Sequence, residues 1–209
     1  VELSPITPSH RPNILGLGGT VRAGSSTERA LVAALEVAAS AGAETKLLGG
    51  AFLATLPIFD PRPGGPTPEQ AELAEAVVKA DGIILATPGY HGSISGAMKN
   101  ALDTLDLLRL SGHPFLDGKA VGIIVTAAGS QAGGTSLVTM RAVIHALRGW
   151  PTPFGATLNS ATPLFDEGGA CCSPKDATQL ATVAEQVVEF AMMKAALQAQ
   201  QAASRNDRI

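Results

Sequence analysis

Short, compact apolar runs alternate along this chain with stretches of helical spacing. Asn13 to Leu17, Gly82 to Ala86 and Lys119 to Val125 are dense apolar runs, the pattern of parallel strands covered on both faces. Glu44 to Leu48 reads as a second strand after a turn at Gly42, and a weaker fifth strand is expected around Thr152 to Leu158. The intervening segments put apolar residues on one helical face: Leu31, Ala34, Leu35 and Ala38 in a helix from about Thr27, and Leu73, Ala76, Val77 and Ala80 in a helix from Thr67 or Pro68. Ile94, Ala97, Met98, Ala101, Leu102 and Leu105 mark a third such face. A fourth carries Leu137, Met140, Ile144 and Leu147, and a last one Leu180, Val183, Ala184, Val187, Val188 and Ala191.

Strand followed by helix, five times over, predicts an α/β fold of three layers with a parallel sheet and right-handed crossovers. A five-stranded sheet of this kind adopts the order 2-1-3-4-5 and binds ligands where the chain reverses direction, between the loops after strands one and three. Residues 1–12 are expected to form an extended arm, 13–198 one domain, and 199–209 a frayed tail. The proline-rich stretch "GGAFLATLPIFDPRPGGPTP" is expected to be a long loop.

Composition narrows the function. The chain has 209 residues, 45% hydrophobic and 16% charged, with a net charge of -3, which suits a globular protein and disfavours binding to nucleic acid through bulk charge. No apolar run approaches the roughly 20 residues that span a bilayer, and "VELSPITPSHRP" has no signal-peptide pattern, so the expectation is a soluble, cytoplasmic protein without membrane contact. The only cysteines, Cys171 and Cys172, are adjacent; they read as two separate thiols in an insertion spanning Asn159 to Pro174.

Three loops rich in glycine and hydroxyls fall at carboxyl ends of the predicted strands. The first, "GGTVRAGSST", nearly spells a nucleotide-triphosphate loop, but Ser25 stands where the phosphate-binding lysine belongs, and Val21 replaces the third glycine of a dinucleotide fingerprint. It reads as an anion cradle at a helix N-terminus, formed by Thr20, Arg22, Ser25, Ser26 and Thr27, for a phosphate that is held and not transferred. Its plain structural role is a turn with Thr27 as helix cap. The second loop, "TPGYHGSIS", holds Tyr90, the only tyrosine, between glycines that permit close backbone approach to a flat ligand. The third is "TAAGSQAGGTS".

The pairing of "GGTVRAGSSTERA" with "PGYHGSISGAMKNALD" resembles the NAD(P)H-dependent FMN reductase family of flavodoxin-like proteins. Pro88, Tyr90, Ser93, Lys99, Asn100, Leu102 and Asp103 match the second family motif, and Thr20 replaces the usual serine of the first while keeping its hydroxyl. The resemblance implies a flavodoxin-like fold and FMN, with its phosphate held by Thr20, Arg22, Ser25, Ser26 and Thr27. Pro88, Gly89, Tyr90, His91, Gly92 and Ser93 would wrap the ring and ribityl chain, and Ala128, Gly129 and Ser130 would border the ring. It further implies hydride transfer from NAD(P)H, a homodimer or homotetramer, and a flavin-dependent monooxygenase as a partner that takes up reduced flavin.

No side chain is nominated as catalytic, because the cofactor carries the reactivity. Lys99, Asn100 and Asp103 read as structural or interface groups. The same motifs serve quinone, azo-dye and metal-oxyanion reductases, and an electron-carrying flavodoxin is the reading from a different class. A hydrolase is disfavoured because Ile94 occupies the centre of "GSISG", where a nucleophilic serine would stand. His10, His91, His113 and His145 lack metal-ligand spacing.

Overall fold

The structure is a computed structural model that describes residues 11–62 and 64–206. The expected arm therefore lies almost wholly outside the described residues. Strands β1 (Asn13–Gly18), β2 (Glu44–Leu48), β3 (Gly82–Pro88) and β4 (Ala120–Ala127) form a parallel sheet with two short further strands, β5 (Trp150–Pro151) and β6 (Ala156–Asn159). The order is β2-β1-β3-β4-β5, with β6 also paired to β4, so the predicted order and reversal between β1 and β3 are borne out.

Alternation along the central strands assigns side chains to two layers. Leu15, Leu17, Ile83, Leu85, Val121, Ile123 and Val125 face the core shared with α3 (Pro68–Lys79), α4 (Gly96–Thr104) and α5 (Ser130–Ala146). Ile14, Ile84, Ala86 and Ile124 face α1 (Ser26–Ser40) and α6 (Pro174–Asn206). On that second face the strands also carry Gly16, Gly82 and Gly122. An added methyl at Gly16 would stand 2.6 Å from Leu35, and at Gly82 and Gly122 2.6 Å from Val187 and Val183. The missing side chains let the helices α1 and α6 sit close on the sheet, with branched residues filling the gaps.

The fifth strand is a correction. The segment expected as one strand is split into β5 and β6, because Pro153 has no amide to donate to a ladder. The break is satisfied from both layers: Gln186 accepts the Phe154 amide at 3.0 Å, and Arg141 donates to the Pro153 carbonyl at 2.9 Å. Gln179, two turns before Gln186 on α6, accepts the Thr157 amide at 3.3 Å, covering the outer edge of β6.

Two smaller differences have equally local causes. Helix α6 runs to Asn206, past the point where a frayed tail was expected; from Lys175 on it contains neither glycine nor proline, and it is rich in alanine and glutamine. The proline-rich loop contains one turn of helix, α2 (Gly50–Leu53).

Lys119, just before β4, is buried, and its ammonium donates to the carbonyls of Val78 and Ala80 at the end of α3. Burial, and secondarily the Lys194 charge, hold its pKa below the ordinary lysine value, while Asp81 opposes the shift. Between that lowered native value and about 10.5 the unfolded chain holds a proton that the native chain has released, so stability rises with pH across the window. Lys119→Met is expected to flatten this rise, measured as the pH dependence of the urea midpoint.

Candidate functional site

The carboxyl ends of β1, β3 and β4 lie side by side, with Gly18 in register with Ala86, and Pro88 with Thr126. This juxtaposition brings the three predicted loops to one edge. Two backbone bonds tie them further: the Gly19 amide donates to the Ala86 carbonyl at 3.0 Å, and the Gly89 amide to the Thr126 carbonyl at 2.8 Å. Thr126 has a second role that sequence reasoning missed. Its hydroxyl shares a 2.6 Å buried hydrogen bond with that of Thr27, so this residue at the end of β4 touches both other loops.

In the first loop the helix cap is Ser25 and not Thr27. Ser25 has extended backbone, and its hydroxyl accepts the Glu28 amide at 3.3 Å. Thr27 is buried beneath the loop, and Ser26 is half-buried. The first-turn amides of α1 have no carbonyl four residues back to reach, which leaves those of Ser26 and Thr27 available to an anion. Thr20 closes the tip on itself, its hydroxyl accepting from the Arg22 amide at 3.1 Å and donating to the Arg22 carbonyl at 3.2 Å. The Arg22 side chain is exposed. Gly24 lies at φ 69 with nothing within 4 Å of where a side chain would begin, so this loop is open as well as tightly turned.

The second loop leaves β3 at Pro88, which is buried, and passes through a tight turn. Tyr90 and Ser93 exchange backbone hydrogen bonds at 2.9 and 3.0 Å, while His91 and Gly92 between them have φ of 52 and 78. Two successive left-handed residues define a type I′ turn, and histidine tolerates that conformation better than most side chains. The turn presents Tyr90, 52% exposed, and His91 outward. Gly89 is closely packed: an added methyl would stand 3.0 Å from both Ala127 and the Ser136 hydroxyl, so these neighbours would have to give way to it. Beneath the turn the Thr87 hydroxyl accepts the Ser95 amide at 3.0 Å, and Ser95 in turn caps α4.

The third loop is short. Ala128 and Ser130 are exposed, and Gly129 precedes α5 with no side-chain cap, so the first-turn amides of a 17-residue helix open onto the same edge. Ala128, Gly129 and Ser130 thus lie at the same sheet edge as the first two loops.

Asn100, read from sequence as structural, has a specific partner. It clamps the proline-rich loop, accepting the Phe59 amide at 2.8 Å and donating to the Pro57 carbonyl at 2.9 Å. Lys99 and Asp103 pair with each other along α4 at 2.7 Å. The insertion packs against α1: Arg29 donates to the Asp166 carbonyl at 3.0 Å and lies over the Phe165 ring at 5.7 Å. Cys171 bridges to Phe165 and is half-buried, whereas Cys172 is exposed; both are free thiols. Among the described residues no cluster of three His, Cys, Asp or Glu side chains could hold a metal, and no helix is long and apolar enough to cross a membrane. A groove of about 440 Å³ lies at the other end of the sheet, between the starts of β1 and β2 and the end of α3.

A parallel sheet in this order, with three glycine- and hydroxyl-rich loops gathered at its reversal, defines a flavodoxin-like α/β fold. Solved structures agree on that fold. FerB, a flavoenzyme NAD(P)H:(acceptor) oxidoreductase from Paracoccus denitrificans, superimposes with a TM-score of 0.69 at 19% identity, over 86% of this chain and 97% of that one. A WrbA-like flavodoxin from Agrobacterium tumefaciens gives 0.61 at 17% identity, over 87% and 98%. The chain belongs to the NADPH-dependent FMN reductase family, whose model matches residues 12–162. The NADPH-dependent FMN reductase ArsH of Rhizobium meliloti (strain 1021) is 27% identical over 192 residues, covering 92% of this chain and 77% of that protein. An FMN-dependent NADPH-azoreductase of Staphylococcus haemolyticus is 34% identical over 98 residues, about half the length of either protein (46% and 48%).

Proposed function

We propose that this protein binds FMN at the β1/β3 crevice and reduces it with NAD(P)H. The observation that carries the reading is the convergence of three loops: an open anion cradle, a rigid turn displaying Tyr90, and an uncapped helix start, all at one edge of the sheet. The residues present fit the cofactor. Arg22 and the Ser26 and Thr27 amides suit the phosphate; the lack of a lysine at Ser25 suits an ester that stays intact. Gly89 and the turn from Tyr90 to Ser93 let the backbone approach a planar ring, with Ala128, Gly129 and Ser130 at its border.

Bound flavin supplies the hydride-accepting chemistry. The chain's own contribution is to orient it and stabilise negative charge: the positive end of α5, at Ser130 and Gln131, is suited to face the polar edge of the reduced ring. Membership of a family with azoreductase-named relatives supports azo compounds as second acceptors. Release of reduced flavin to a monooxygenase is the alternative fate. Ile58, Leu107 and Leu110 are exposed apolar side chains around α4 and the loop that Asn100 clamps, a surface suited to a homodimer or homotetramer.

The test is NAD(P)H oxidation by the purified protein with and without added FMN, alongside its visible absorbance spectrum. Flavin-dependent oxidation of either nicotinamide is expected. A protein that binds no flavin and oxidises neither nicotinamide overturns the proposal, and one that binds flavin without oxidising them is an electron carrier.

A further inference from the structure

We infer that Glu28 is a positioning residue of the phosphate cradle, holding the loop in its binding shape from the side away from the ligand; this rests on the flavin reading above. The motif Ser25-x-x-Glu28 has the form of a capping box, in which the glutamate at the third helical position returns to the amide of the cap residue. Glu28 does something different. One carboxylate oxygen accepts the Gly24 amide at 2.8 Å, one residue before the cap, and the other accepts the Gly50 amide from the loop after β2. A single side chain thus staples the tip of the first loop to a separate element.

The surroundings are shaped to receive it. An added methyl at Gly49 would stand 2.6 Å from the Glu28 carboxylate, and one at Gly19 3.2 Å from its Cβ; at Gly50 the same atom would fall 1.9 Å from the Thr20 carbonyl. Glycine at these positions leaves room for the carboxylate and for the close approach of the two loops. Gly24, at φ 69, makes the turn at the end of the tip that carries Arg22, and Glu28 accepts its amide. The tip is therefore held at three points: Ser25 under the helix, Thr20 across the turn and Glu28 from the flank. An anion beside a phosphate site would ordinarily repel the ligand. Here both carboxylate oxygens are committed to amide donors, and the positive end of α1 offsets the charge.

Glu28→Gln presents an amide donor to one of two backbone amides, so one tether becomes a clash of donors. Glu28→Asp keeps the charge but is one methylene too short to reach both. The measurement is binding of FMN and of riboflavin, which lacks the phosphate, by each variant and the wild type, together with the Gly24 and Gly50 amide resonances of the flavin-free protein. Both variants are expected to weaken FMN by about tenfold, the scale of one lost charge-assisted hydrogen bond, with riboflavin within about threefold and both amide resonances moved. Equal weakening of the two ligands, or FMN affinity unchanged or increased, overturns the inference. If the wild type binds neither flavin, the flavin reading falls by itself, and inorganic phosphate decides the role of Glu28. Phosphate shifts of the Gly24 amide in the wild type that vanish in the variants support it; identical shifts, or none, overturn it.

Discussion

Gly18→Ala is expected to destabilise the protein by about 3 kcal/mol or more, the range reached when a substitution meets an immovable backbone. Gly18 has φ 143, and an added methyl would lie 2.0 Å from the Ala86 carbonyl oxygen on the neighbouring strand. That carbonyl accepts the Gly19 amide, so moving it away breaks the bond that starts the loop after β1. Strain and a lost buried hydrogen bond therefore fall on one residue. The urea midpoint, compared with that of Gly24→Ala as a control for positive φ without a steric neighbour, measures the difference. A shift below about 1 kcal/mol would mean that the ends of β1 and β3 separate easily, contrary to the packing described.

Arg22→Ala is expected to weaken FMN by about 10- to 100-fold, the loss of a charge-assisted contact of roughly 1.5–3 kcal/mol, and to leave riboflavin affinity unchanged. The Arg22 side chain is exposed, so its removal costs the fold little. The dependence of FMN affinity on salt should fall in the same variant, because a charge pair has been deleted. Equal losses for both flavins would place Arg22 elsewhere than on the phosphate. Ser25→Ala is a poorer probe than sequence alone suggests: its hydroxyl caps α1, and losing a cap costs about 1 kcal/mol of helix stability whatever the ligand.

Strands and helices buried on one or both faces were legible from sequence because their apolar periodicity is strong. Glycine and hydroxyl loops at three strand ends marked the edge of the candidate site for the same reason: each composition permits a backbone that few others do. What escaped notice depends on contacts between distant segments. Thr126 read only as the first residue of the third loop, and its pairing with Thr27 is what makes it a link between loops. Asn100 belonged to a visible motif, yet its partners Pro57 and Phe59 lie 43 and 41 positions away. Glu28 carried a signal, three residues after Ser25, but the pattern predicts a bond to the cap itself and not to Gly24 and Gly50. The split fifth strand was readable in principle from Pro153, whose missing amide counted for less than the apolar residues around it.

The reversal at β1 also orders events during synthesis. β1 is flanked by β2, which follows it closely, and by β3, whose Gly82 pairs with Ile14. As the chain leaves the ribosome, β1, α1 and β2 can assemble while the other side of β1 stays unpaired until the proline-rich loop and α3 have been made. During that interval an apolar strand edge is exposed to any neighbouring chain. Insertion of β3 closes it, and β4 can then add only to the newly placed strand. The open edge then passes to β3, which stays unpaired until β4 is made, so exposure to unfinished copies lasts until the later part of the sheet has been synthesised.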